Sequence, residues 1–141
     1  MESNLKRLVI LNVFAAFIVA GFGFYYELNL PQQVLEAEAW LEELNIVNDR
    51  GETAVLYLLI AVLAGHFLSL FLLYRLSNLG RTLFLITTVS GFATMPFLGY
   101  TISSPLYDII EYCGILLEGA LFYSIYFSEA KTLFEKSIPS S

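Results

Sequence analysis

Apolar residues run almost unbroken through four stretches of the chain, and polar residues are concentrated in the segments between them. The first stretch, residues 8–26, follows Lys6 and Arg7 and holds 19 residues, of which Asn12 is the clearest polar exception. A helix rises about 1.5 Å per residue, so a run of this length crosses the roughly 30 Å of bilayer hydrocarbon. A cleaved signal peptide is the competing reading, but its apolar region is usually roughly 7 to 15 residues and ends on a small-residue cleavage site that this run lacks. The expectation is therefore a retained span.

Residues 54–76 form the second stretch, interrupted by Gly65, His66 and Ser69 and closed by Arg75. The third, 82–100, carries Pro96 near its far end, where a ring without a backbone donor should kink the helix. The fourth, 106–127, begins behind Ser104, a natural N-cap, and Pro105, a natural first helical residue. The connections 77–81 and 101–105 are short, which makes consecutive spans antiparallel neighbours. The tail 128–141 is polar and is expected to fray.

Between the first two spans, residues 27–53 hold seven of the thirteen acids and one base, Arg50. Within 31–47, Val34, Ala37, Leu41 and Leu44 recur at helical spacing, with Leu35 and Trp40 beside them and most of the glutamates on other sides. Pro31 suits the first turn of such a helix and 48–51 a stop and turn. The segment is expected to lie along the outer membrane interface with Trp40 near the headgroups, serving as a lid or as a docking surface. The whole pattern predicts an all-α integral membrane protein. Residues 1–141 make one domain, a four-helix up-and-down transmembrane bundle with a short amphipathic outer interfacial helix.

Composition supports the membrane class. The chain is 57% hydrophobic and 14% charged with a mean hydropathy of +0.70, against roughly half apolar and a quarter charged in soluble domains. The net charge of −6 says less than the placement of the charges. Lys6, Arg7, Arg75, Arg81, Lys131 and Lys136 fall on one side of a four-span arrangement and Arg50 on the other. The positive-inside rule makes the first side cytoplasmic, with both termini inside and 27–53 outside, and the bacterial plasma membrane is the expected location. Scattered bases without a patch argue against nucleic acid as a partner.

The candidate chemistry lies in the spans. His66 and Glu118 fall about 12 residues into two spans that run in the same direction, so both lie near the midplane. Asp108, Glu111 and Glu118 share a helix face at spacings of three and seven. Thr87, Ser90 and Thr94 on the preceding span offer hydroxyls to a carboxyl. Such a stripe can pass protons or hold a cation. It can equally be structural: His66 and Glu118 can neutralise one another, or a protonated Glu118 can bond a threonine and set helix register. Asp108 and Glu111 also suit the positive N-terminal end of a helix as ordinary solvated acids.

Other chemistries are excluded by what is missing. Cys113 is the only cysteine, so neither an intramolecular disulfide nor a cysteine zinc site is available. One histidine cannot supply both axial ligands of a bis-histidine haem, which would need a second ligand from a partner or another copy. Nucleophilic triads, phosphate loops and paired-histidine metal motifs are absent, so no catalytic residue, metal site or cofactor is predicted. Small residues recur every four positions at Ala61, Gly65 and Ser69, at Ala16 and Ala20, and at Ala120 and Ser124, a spacing that allows close helix approach within or between chains. By exclusion, the expected function is non-enzymatic association in the bilayer, as a homo-oligomer or as an accessory subunit of a larger membrane complex. A proton or cation pathway through the acids and His66 is the alternative, and a haem- or quinone-binding electron-transfer subunit comes third.

Overall fold

The computed structural model describes residues 1–42, 49–94 and 103–135. Among them every regular element is helical: α1 (Glu2–Leu28), α2 (Gln32–Glu42), α3 (Asp49–Tyr74), α4 (Asn78–Thr94), α5 (Pro105–Tyr126), a 3-10 turn (Glu129–Lys131) and α6 (Thr132–Glu135). Three helices are long and apolar enough to cross a membrane, over Glu2–Tyr26, Thr53–Tyr74 and Pro105–Tyr126. The described part of α4 has 17 residues. The expected continuation to residue 100, Pro96 included, lies outside the described residues, as does Lys136.

Each helix pairs with its neighbour in antiparallel fashion, as the residue contacts show. On α1 and α5, Asn12 Nδ2 donates to the Leu117 carbonyl at 3.2 Å, Val19 packs at Gly114, and Gly23 lies under the Tyr107 ring. On α1 and α3, the Phe17 and Phe67 rings sit 5.5 Å apart and Lys6 Nζ lies 5.4 Å from the Tyr74 ring centre. Between α4 and α5, Thr88 meets Glu118 and the Tyr126 hydroxyl donates to the Arg81 carbonyl at 2.6 Å.

The α3–α4 hairpin is the tightest junction. Ser77 N–H donates to the Leu72 carbonyl and Leu76 N–H to that of Leu73, each at 2.9 Å. This is the paired C-terminal cap that needs a left-handed residue, and Leu76 takes that role at φ 57° despite its side chain. The turn brings the start of α4 so close to α3 that a Cβ on Gly80 would lie 2.7 Å from the Leu73 nitrogen. Only glycine fits there.

Buried apolar side chains gather at one end of the molecule: Leu5 and Val9 of α1, Leu70 and Leu73 of α3, Phe84 of α4, Leu121 and Ile125 of α5. Elsewhere the long helices present Phe14, Phe17, Leu56, Leu63, Phe92 and Leu116 outward. A soluble monomer rarely exposes contiguous apolar patches beyond a few hundred Å², so this surface suits hydrocarbon rather than water.

Two expectations are corrected. The turn expected at 48–51 is absent over Asp49–Gly51, which begin α3. Glycine costs less in a first turn than in a helix interior. The tail does not fray before residue 136. Ser128 Oγ accepts from Ala130 N–H at 3.1 Å, the chain turns back, and Phe134 enters the core with no exposed surface. Ala130 is buried with it and Leu133 packs against the same core. Arg81 lies 5.0 Å from the Tyr126 ring centre and 5.3 Å from that of Phe134, a cation–π contact with both.

Of the helix expected over 31–47, α2 covers Gln32–Glu42 and 43–47 lie outside the described residues; Pro31 precedes it, its carbonyl accepting from Val34 and Leu35 N–H. Val34 is half-buried, while Leu35 and Trp40 are exposed. The Leu41 side chain and all of Leu44 lie outside what is described.

Two substitutions test this packing by unfolding in mixed micelles. Gly80→Ala forces a methyl group onto backbone that cannot step aside and should cost about 1–3 kcal/mol; an unchanged midpoint contradicts the close approach. Phe134→Ala should cost about 3–5 kcal/mol, as for other fully buried aromatics, whereas a frayed tail would make it silent.

Candidate functional site

The start of α5 is set by its own first residues. Ser104 Oγ accepts from Tyr107 N–H at 3.1 Å with Pro105 opening the helix, and Ser103 Oγ donates to Asp108 Oδ1 at 2.5 Å. Asp108 is thereby held at the helix end. One and three turns further along, Glu111 and Glu118 reach a cavity of about 270 Å³ among α3, α4 and α5. His66 of α3 and Thr87 and Thr88 of α4 line the same space, and Leu59, Val62, Leu63, Phe92 and Ile115 make its apolar rim, where Leu63, Phe92 and Ile115 are also exposed at the helix surface.

Within it, Thr88 Oγ1 donates to Glu118 Oε1 at 2.7 Å. The expected face of Thr87, Ser90 and Thr94 does not supply that donor. Thr87 is buried and returns its hydroxyl to its own helix, at the carbonyls of Leu83 (3.0 Å) and Phe84 (3.1 Å). Thr94 is likewise buried and donates to the Gly91 carbonyl at 2.7 Å, while Ser90 is half-buried. Thr88 adjoins Thr87 about 100° further around the helix, so the spacing along the chain alone left either hydroxyl free to meet Glu118.

His66 shares the cavity with Glu118, but among the described residues no hydrogen bond joins imidazole to carboxylate. The ring instead packs 5.4 Å from the Phe84 ring centre at an interplanar angle of 36°. The equal depth expected of the two residues brings them to one space without pairing them directly.

Asn12, the clearest polar exception in the first apolar stretch, is buried and ties α1 to α5. Its Nδ2 donates to the Leu8 carbonyl at 2.9 Å and to Leu117 across the interface. Helix α5 is thus held on one side at Leu117 and on the other at Glu118, which sets its rotation.

The small-residue positions divide. Gly65 faces the Thr87 methyl, 3.0 Å from where its Cβ would stand, and Ser69 is fully buried with Oγ donating to the His66 carbonyl at 2.6 Å. Ala16 is half-buried, Ala61, Ala20 and Ala120 are exposed, and the half-buried Ser124 donates to the Ala120 carbonyl at 2.8 Å.

A second space of about 310 Å³ opens between α4 and α5, lined by Leu85, Val89, Gly119 and Phe122. It shares Thr88, Phe92, Ile115 and Glu118 with the first, and both are open at the helix surface, so Glu118 stands where two open clefts meet. Toward the basic end the way is closed by Phe84, Leu70, Leu73, Leu121 and Ile125, all with almost no exposed surface. Among the described residues no group of three or more His, Cys, Asp or Glu is placed to hold a metal ion. No family model, curated protein or solved structure matches the chain.

The Thr88 bond predicts a specific coupling. A double-mutant cycle of Thr88→Val with Glu118→Gln, read by unfolding in mixed micelles, should show an interaction of about 0.6–1.7 kcal/mol, the range of side-chain hydrogen bonds between membrane helices. The same cycle with Thr87→Val should show none; equal coupling at both threonines contradicts the assignment.

Proposed function

We propose that the chain is a four-span integral membrane protein, an up-and-down bundle of α1, α3, α4 and α5 with both termini cytoplasmic. Its functional part is the carboxyl–imidazole cavity, where it binds and exchanges protons or a cation. The observation that carries this reading is the convergence of Glu111, Glu118, His66 and Thr88 on one cavity in otherwise apolar walls. Ionisable groups inside a membrane are expensive and mark functional sites by default, and an apolar cavity with a few convergent polar groups is the usual form of a binding site. The orientation rests on Lys6, Arg7, Arg75, Arg81 and Lys131 falling on one side.

The site is a cleft rather than a pore. The buried apolar layer from Phe84 to Ile125 offers nothing to solvate a moving charge. Movement through the protein would require that layer to rearrange, so exchange should be saturable and slow compared with a channel. The chain is read as non-enzymatic on the sequence, which carries no nucleophilic triad, phosphate loop or paired-histidine metal motif.

Association as an oligomer or accessory subunit is the second reading. Ala20, Ala61 and Ala120 support it, since they stay exposed at spacings that allow another helix to approach.

The test is uptake in proteoliposomes carrying an internal pH dye, in sodium or potassium buffer. The parent protein should show saturable, pH-dependent exchange, and Glu118→Gln should abolish it while leaving the helical circular dichroism unchanged. Exchange unaffected by that substitution, or none in the parent, overturns the cavity reading. A defined assembly in mild detergent would then favour association.

A further inference from the structure

We propose that the cavity takes a small organic cation, an ammonium head on an apolar body, admitted sideways through the groove between α4 and α5. The inference rests on the reading of the cavity as the functional site and names what that site binds.

Charge is the first ground. α5 contributes two carboxylates, Glu111 and Glu118; α4 contributes only the hydroxyls of Thr87 and Thr88; α3 contributes His66. No Lys or Arg is among the described residues lining the cavity, and Lys6, Arg75 and Arg81 instead lie over aromatic rings in the bundle's basic part. A carboxylate in apolar surroundings is costly unless a counter-charge meets it. A bound cation supplies one.

Size and lining separate an organic cation from a bare metal ion. The cavity of about 270 Å³ is far larger than an ion, and hard cations take roughly six to eight oxygen ligands, which two carboxylates and two hydroxyls in an apolar wall do not offer. An ammonium head asks less: one carboxylate and an aromatic face suffice, and Phe92 lines both spaces beside Glu118. The Thr88 hydroxyl holds the carboxylate in place while the head group meets it from the cavity.

The groove gives the apolar body its place. Leu85, Val89 and Phe122 line it, it meets the cavity at Glu118, and at Gly119 it has room for a larger side chain, since a Cβ there would meet nothing within 4 Å. A molecule dissolved in the bilayer therefore reaches the carboxylate without crossing the packed layer at the basic end.

The experiment is calorimetric titration of the purified full-length protein in detergent with benzyltrimethylammonium, against its neutral isostere neopentylbenzene. The cation should bind one per chain, and the isostere about tenfold more weakly or worse, the scale of an unmet charge in a buried site. Glu118→Gln should weaken the cation to a similar extent. Gly119→Phe, whose ring fills the groove without a clash at Cβ, should also weaken it while leaving the thermal midpoint near that of the parent. Because the probe's charge is permanent, any pH dependence belongs to Glu111, Glu118 and His66.

Equal binding of the isostere, or cation binding untouched by both substitutions, overturns the inference. If Glu118→Gln does not fold, Gly119→Phe decides alone. If the cation does not bind while Glu118-dependent proton or metal-cation exchange persists in proteoliposomes, the ligand class is wrong and the cavity reading stands. Loss of both overturns both.

Discussion

A carboxyl group surrounded by apolar side chains has to be met by a donor, and much of this molecule's arrangement follows from how Glu118 is met. Thr88 reaches it from α4, and Asn12 fixes α5 from the opposite side through the carbonyl of the preceding residue. Those two bonds set the rotation of α5 about its axis. With that rotation, Glu111 and Glu118 turn toward α3 and α4, and Gly114 turns toward Val19 of α1. Loss of the Thr88 bond would leave the carboxylate to be met by a cation, a water or a proton, and the cavity has room for each.

The two ends of the bundle are built for different purposes. At the basic end the α3–α4 cap, the fit at Gly80 and the docked Phe134 make a dry, close-packed layer, with Arg81 held between two rings. Such a layer resists deformation because interiors pack at crystal density. Away from it, small residues and divided side chains leave space, and the polar groups collect in that space. A rigid base beside a more open cleft is a physical basis for a binding site whose geometry is held from below.

Much of the architecture was legible in the order of residues. Three of the apolar runs are borne out by α1, α3 and α5 as helices long enough to span, and Ser104 and Pro105 open α5 as their local chemistry requires. The tail was misread because its composition is polar, while Phe134 and Ala130 are buried in the core and Leu133 packs against it. The helix start at Asp49 was misread because a glycine in a first turn looks the same in sequence as a glycine in a loop.

What the chain by itself determined is helical periodicity, apolar length and depth along each axis, because these are properties of one helix and its 1.5 Å rise. What only the tertiary structure decided is rotation. Two adjacent threonines differ by about 100° around α4, so choosing Thr88 over Thr87 as the partner of Glu118 depends on how α4 is turned against α5. That turn is set by contacts far apart in sequence, such as Asn12 with Leu117 and Tyr126 with Arg81. The same rotation makes Glu118 a member of both a cavity and a groove, where its sequence position shows only a carboxyl group in an apolar run.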